Sequence, residues 1–526
     1  MSVNIKEWIF TTDHKRVGIL YLIGSIAAFA VAGIAALLMR IELTTLGPTI
    51  TADPTTYNVW LYTHGAVMIL GFQIPALTGF FANYCIPLMI GAKDVAFPRI
   101  NALSVWLFYL GVILALFTFL VPDPPDIMWT AYPPYSTITT GNTALYTFTV
   151  LVLGFASILG GVNFLTTVAF MRAPGLKWSN LNIFVWCTLG AFVLQLIFVP
   201  VLGSAVTLIT FDKYLGTHFF DPSQGGDVLI YQNLFWFYSH PAVYVIFLPY
   251  IGVVFEIVAT FAKNRVFNHK VAIWGGVVGV VLVSGEVWVH HLYVSGMADW
   301  LRIGQMITTL MISVPVGLLV ISLAGTLYKG AITFETPMLY ALGVLFLFLI
   351  GGLTGIPLAV TSLTVHLSET YYVVGHFHYV MAVAGTFAIF GGVFYWFPKI
   401  TGRMYNEFWG KLGFWTTFIG VNMVFWIMMD VGVRYGMPRR YYDYSQFPQV
   451  EPAQHWMTVG AAILGLGFVI SVLNWLVSAA KGPKASDNPW GSKSLEWTTV
   501  SPPPHGNWPK PPTVTEDWTP YSYERH

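Results

Sequence analysis

Charge is what this sequence has least of. Asp, Glu, Lys and Arg make up 9% of its 526 residues, where a soluble domain carries about 25%. So few charged groups cannot solvate a surface of this size, which excludes an ordinary water-soluble globule. Cysteine is nearly missing as well. Cys85 and Cys187 both fall in or beside apolar runs, so neither a disulfide framework nor a thiolate metal cluster is expected. No excess of one sign is present: the net charge is +1, and no nucleic-acid partner is expected. The first sixteen residues are charged and lack the short apolar region and small-residue cleavage site of a secretory leader.

What fills the chain instead is apolar sequence, 56% of it hydrophobic and 16% aromatic. Stretches 17–39, 236–258 and 341–360 reach the length of about 20 residues that crosses a bilayer. About twelve spans are predicted, starting near residues 17, 59, 103, 145, 183, 228, 272, 305, 337, 372, 412 and 457. The fold class is therefore an all-α membrane protein. With both termini on one side, that side collects Lys15, Arg16, Lys93, Arg172, Lys270 and Lys399 among others. The opposite side receives only Arg40, Lys213, Arg302, Arg434, Arg439 and Arg440. The bias of Lys and Arg toward the inside then puts both termini on the inner, cytoplasmic face. Residues 1–480 read as one twelve-helix domain and 481–526 as a Pro- and Trp-rich tail extended along the inner side.

Six of the thirteen histidines fall in predicted spans: His64, His240, His290, His291, His376 and His378. Ionisable groups in a bilayer are costly and mark ion paths or bound metals. Taken by span direction, all six lie in the outer half of the membrane, His240 deepest at about 18 Å along its helix. Independent structural histidines have no reason to share a depth. His376 and His378 are two positions apart, about 200° around a helix, so they suit two different metals. His64 can complete a six-coordinate site with one of them, leaving the other as a lone axial ligand. His240, His290 and His291 remain as three imidazoles, a set that suits copper and also permits zinc. Tyr244, four residues after His240, lies beside that imidazole on the same helix face.

The motifs Thr63-His64-Gly65, His240-Pro241-Ala242-Val243-Tyr244, Trp288-Val289-His290-His291 and Gly375-His376-Phe377-His378-Tyr379 carry a resemblance that runs nearly end to end. The chain resembles subunit I of the haem–copper oxidases, in the A-type cytochrome c oxidase branch. The resemblance implies a terminal respiratory oxidase that reduces O2 to water with four electrons, coupled to proton transfer across the membrane. It implies two haems, expected to be haem A, and one copper, CuB. His64 and His378 would be the axial ligands of the low-spin haem and His376 the proximal ligand of the oxygen-binding haem. His240, His290 and His291 would hold CuB, with Tyr244 joined covalently to His240. Arg40 matches the arginine that faces the haem A formyl group, the alternative being an arginine that snorkels to the outer surface. Arg439 and Arg440 match a pair that binds haem propionates. Trp129 and Trp236 match aromatics packed beside the site.

For protons, Asp94 matches the mouth of the family's D pathway, and Asn83, Asn101, Ser157 and Asn163 match polar positions along it. The carboxyl that usually ends this route is Ala242 here, with Tyr238-Ser239 standing in, as in a second A-type subgroup. In the family's K pathway the usual threonine is Val316 and the usual lysine Leu319, although Ser322 is kept, so a standard K pathway is not expected. Glu286, one helical turn from His290 and expected to be buried, is read as a replacement proton donor to Tyr244 or CuB. The outer Mg2+ site is altered to Ser368-Glu369, and no magnesium is assigned. Expected partners are O2, membrane lipid, a subunit II carrying CuA or another donor site, a subunit III, and cytochrome c or another electron donor. A bacterial or archaeal cytoplasmic membrane is the expected location. A transporter or proton channel would explain the spans but not six histidines at one depth. A nitric oxide reductase of the same superfamily gains weight from Glu286 and the lost lysine, whereas Tyr244 and the D-type residues favour O2.

Overall fold

The computed structural model describes residues 5–515 and 517–523. Among them no β-strand forms, and extended pairing is limited to isolated bridges between Thr370 and Pro438 and between Arg403 and Lys484. Eleven helices are long and apolar enough to cross a membrane. They are α1 (His14–Glu42), α2 (Pro54–Met89), α3 (Pro98–Phe119), α4 (Thr143–Phe170), α5 (Ile183–Leu215) and α6 (Val228–Phe261), then α8 (Asp299–Leu327), α9 (Thr336–Ala359), α10 (Tyr371–Thr401), α11 (Glu407–Tyr435) and α12 (Pro448–Lys481). A helix satisfies its own backbone, which hydrocarbon cannot do, and that is why these runs are helical. The ends are set locally: Asp13, Asp227 and Asn406 accept backbone N–H groups at the starts of α1, α6 and α11. α10 stops at Gly402, whose φ of 67° an L side chain rarely adopts.

The seventh expected span differs. α7 (His269–Ser284) is too short to cross alone. After Ser284 the chain turns, with the Glu286 N–H donating to the Val283 carbonyl at 2.9 Å. A short 3-10 turn, Trp288–Leu292, then carries His290 and His291. Two further departures from α-geometry also hold histidines. α2 is π-helical over Thr63–Gln73 and α10 over His378–Ala382. Such widened turns recur at functional sites, where they re-aim side chains.

α2, α6 and α10 are the enclosed helices, with 78%, 89% and 83% of their apolar windows buried, against 28% for α8 and α12. The chain after Lys481 lies across the face where α1 begins. Lys15 donates to the Asn507 side chain at 2.8 Å, Asn507 donates to the Ala92 carbonyl at 2.8 Å, and the Tyr521 hydroxyl donates to Glu256 at 2.5 Å. This is the tail face of the bundle, and the opposite one is the far face.

Candidate metal centre

The six intramembrane histidines line one cavity of about 1130 Å³, larger than the pockets that hold ordinary small ligands. Three of them are anchored alike. Nδ1 of His64 donates to the Ala32 carbonyl (3.2 Å), Nδ1 of His376 to the Gly351 carbonyl (2.9 Å), and Nδ1 of His378 to the Val374 carbonyl (2.8 Å). A carbonyl can only accept, so the proton is fixed on Nδ1 and the Nε2 lone pair is free for a metal. The His64 and His378 rings are parallel within 5° with centroids 6.3 Å apart. That is too wide for ring contact, and it suits one ion ligated from both sides through bonds of about 2 Å. His376 points away toward α9, where a Cβ on Gly355 would come within 2.9 Å of its ring. Only glycine leaves the imidazole its place there. The opposed faces expected of His376 and His378 are thus observed.

His240, His290 and His291 form the other group, with one ligand atom from each within 4.8 Å of the rest. His240 Nδ1 lies 3.1 Å from His291 Nε2, and His240 Nε2 is buried with no hydrogen-bond partner. Nitrogens this close, with one ring nitrogen bare, are what a cation-binding set looks like without its ion. The Trp236 ring stacks on His291 at 3.6 Å and 3°, fixing its plane. Trp236 donates through Nε1 to the Tyr132 hydroxyl. His290 Nδ1 is 3.1 Å from the Thr309 hydroxyl. The Tyr244 ring lies 5.0 Å from that of His240 and lines the same cavity.

The cavity's far-face rim is cationic and aromatic. Arg40 is 7% exposed, so it does not snorkel. Its guanidinium donates to Gln454 Oε1 at 2.7 Å and to the Gln454 carbonyl at 3.2 Å, while its Nε is buried and bare. Gln454 is a partner that sequence reading missed, 414 positions away. Trp129 lies against Gly65, beside His64. Arg439 and Arg440 border the cavity, and Arg439 grips Glu369 with two bonds of 2.7 and 3.0 Å. Burial alone would raise Glu369, but the Arg439 charge and hydrogen bonds hold it below the usual carboxylate range. Its carboxylate is therefore paired with a guanidinium.

Tyr238 and Ser239 also line the main cavity, and Tyr238 lines a second one of about 210 Å³. That second cavity reaches toward the tail face between α2, α4 and α5. Asn83, Ser157, Tyr21, Ser104 and Gln195 border it, the last three not singled out from the sequence. Asn101 donates to Asn83 Oδ1 at 2.5 Å, and Tyr21 to Ser104 at 3.0 Å. Asn163 does not reach the cavity. It accepts the Phe97 N–H at 2.9 Å and braces the loop that holds Asp94. Burial pushes Asp94 up to about 6, against the pull of the Val95 N–H.

One expectation is corrected. Glu286 was expected to be buried one turn from His290. The helix has already ended at Ser284, so that register is lost, and the turn at Gly285 aims Glu286 outward, where it is exposed and borders neither cavity. On the same side of the molecule, Leu319 is fully buried. It packs so closely on Gly276 that a Cβ there would lie 2.6 Å from the leucine.

The family described as cytochrome c and quinol oxidase polypeptide I matches residues 16–463. A cytochrome c oxidase subunit 1 of Thermostichus vulcanus is 41% identical over 98% of this chain and 93% of its own length. One from Synechocystis sp. is 42% identical over 96% of this chain and 91% of its own. A heme–copper terminal oxidase dimer solved by cryo-EM shares the fold, with a TM-score of 0.76 at 18% identity over 90% of this chain and 85% of that one. With coverage of this extent, the chain belongs to the cytochrome c and quinol oxidase polypeptide I family and is the catalytic, membrane-integral subunit of a terminal oxidase.

Proposed function

We propose that this subunit reduces O2 at a centre of two haems and one copper, with His64 and His378 on the low-spin haem iron, His376 on the oxygen-binding haem iron, and His240, His290 and His291 on CuB. The observation that carries this is the shared anchoring of His64, His376 and His378, each with Nδ1 on a backbone carbonyl in one cavity that also holds the three-imidazole cluster. The bare His240 Nε2 and the bare Arg40 Nε fit such a content. When bound, these groups supply electron transfer and O2 activation. The chain's own residues do the rest. Arg40 would take the formyl group of a haem A, and Arg439 and Arg440 would take propionates, with Trp129 packed beside His64 against Gly65. Trp236 holds His291 in plane. Tyr244 offers a hydroxyl beside His240, able to give up a proton and an electron at the reacting centre.

Protons come from the tail face, which the Lys and Arg distribution makes the cytoplasmic side of a bacterial membrane. Asp94 collects them, Asn163 holds its loop, Asn101 and Asn83 orient the path, Ser157 borders it, and Tyr238 with Ser239 hands protons to the centre. The chain divides into a helical domain, 1–480, and a tail, 481–526, of which the described residues brace the tail face. A subunit II bearing CuA or another donor site supplies electrons from cytochrome c or another carrier, beside a subunit III. The test is a pyridine haemochrome spectrum with metal analysis of the purified complex, followed by O2 and NO turnover. Two haems, one copper in this subunit and faster O2 turnover are expected. One haem, no copper, or NO as the better substrate would refute the reading.

A further inference from the structure

The second cavity contains a polar group that the proton route above does not use. Gln195, midway along α5, is 2% exposed and borders this cavity together with Asn83, Ser157 and Tyr238. Its Oε1 is buried without a hydrogen-bond partner. An amide oxygen left bare in an apolar interior is costly enough that such groups nearly always have a partner, protein or water. Protein atoms do not supply one here. The space does: about 210 Å³ accommodates several waters at about 30 Å³ each, provided polar groups hold them.

Two more bare oxygens belong to residues that adjoin lining residues of this cavity without lining it themselves. Asn101 Oδ1, on the residue that donates to Asn83, is buried and unpartnered toward the tail face. Ser239 Oγ is buried and unpartnered next to Tyr238. The rest of the wall is mainly apolar, including Phe108, Leu153, Phe164 and Phe192. A water chain through such a space needs an acceptor partway along to stay ordered.

We propose that Gln195 is a positioning residue for proton delivery, its Oε1 accepting from water in this cavity and fixing a chain of waters that passes protons from the Asn83 end to Tyr238. For each proton that joins the chain at one end, another leaves at the other. The waters exchange O–H bonds, and nothing is consumed. The inference rests on the reading of Asp94 and Tyr238 as parts of the proton route.

The test compares Gln195→Met, Gln195→Glu and Asp94→Asn in the intact oxidase complex. Electron arrival at the low-spin haem and proton uptake from the tail-face side are followed separately. Gln195→Met should slow uptake and turnover by about tenfold, less than the hundredfold or more that a lost acid–base group costs, because Gln195 orders the water and does not itself carry the proton. The haem spectra and electron arrival should stay unchanged. Gln195→Glu, which restores an acceptor, should recover most of the rate. If Asp94→Asn blocks uptake while Gln195→Met does not, the role of Gln195 is refuted and the route stands. If neither variant changes uptake, the route itself is wrong. Loss of the haem spectrum in Gln195→Met would mark a merely structural residue. A measurement on the unaltered complex is independent of any variant: redox-difference infrared spectra in H2 18O should show shifted bands of ordered water, and their absence would overturn the proposal.

Discussion

Between α2, α4, α5 and α6 the protein keeps a cavity bordered by Asn83, Ser157, Gln195 and Tyr238. Between α7 and α8 it closes the interior with Leu319 and Leu323, neither of them exposed at all. Both regions lead from the tail face toward the same histidines, yet only the first encloses a cavity bordered by several polar side chains. Ser322 and Thr326 remain on the α8 side, but Thr326 donates its hydroxyl proton to the Ser322 carbonyl at 2.7 Å. Leu319 packs directly on Gly276, where a Cβ would lie 2.6 Å from the leucine. The difference teaches that where the apolar Val316 and Leu319 stand, the buried α7–α8 contact is made by leucine packing and not by groups that relay protons.

Breaking the open side should have the largest effect. Asp94→Asn should lower O2 consumption and proton uptake by about a hundredfold, the scale of a lost general acid–base group; full turnover would show that protons arrive elsewhere. Adding a relay group to the leucine-packed side should fail. Leu319→Lys places an ammonium at a fully buried apolar position, at a cost on the order of several kcal/mol. Thermal inactivation should therefore shift to lower temperature with no gain in turnover, and a faster enzyme would refute this reading of the packing. A smaller effect concerns pH. Burial holds the Asp94 carboxyl neutral up to about 6, so the group is protonated below that value and ionised above it. Uptake limited by this residue should slow as pH rises through about 6, and the inflection should vanish in Asp94→Asn. The smallest effect belongs to Glu286→Gln. As an exposed turn residue outside both cavities, it should change turnover by less than about twofold.

The spans were legible because hydrocarbon imposes a length and a composition on each of them. The histidines were legible because depth and spacing constrain a metal site more tightly than they constrain packing. The break after Ser284 was not. Val283, Val287 and Val289 continue the apolar run across it, and hydropathy does not register a turn at Gly285. Glu286 was misplaced for that reason alone, since its assignment assumed an unbroken helix. Arg40 illustrates a second limit. Its burial depends on Gln454 at the start of α12, and no local pattern links positions 414 apart. Gln195 was invisible for a third reason: a single glutamine in an apolar helix looks the same whether it faces a neighbour or a cavity.

The strap across the tail face has a consequence for biogenesis. Residues near 507 and 521 fasten helices whose sequences begin at His14 and Val228, so contacts of very long sequence separation close the tail-face rim. Such contacts form late, because loop closure must be completed before they add stability. The helices around the main cavity are therefore in the membrane before their tail-face ends are tied together. The tail thus contributes last to the stability of the bundle, and its contacts depend on helices already in place.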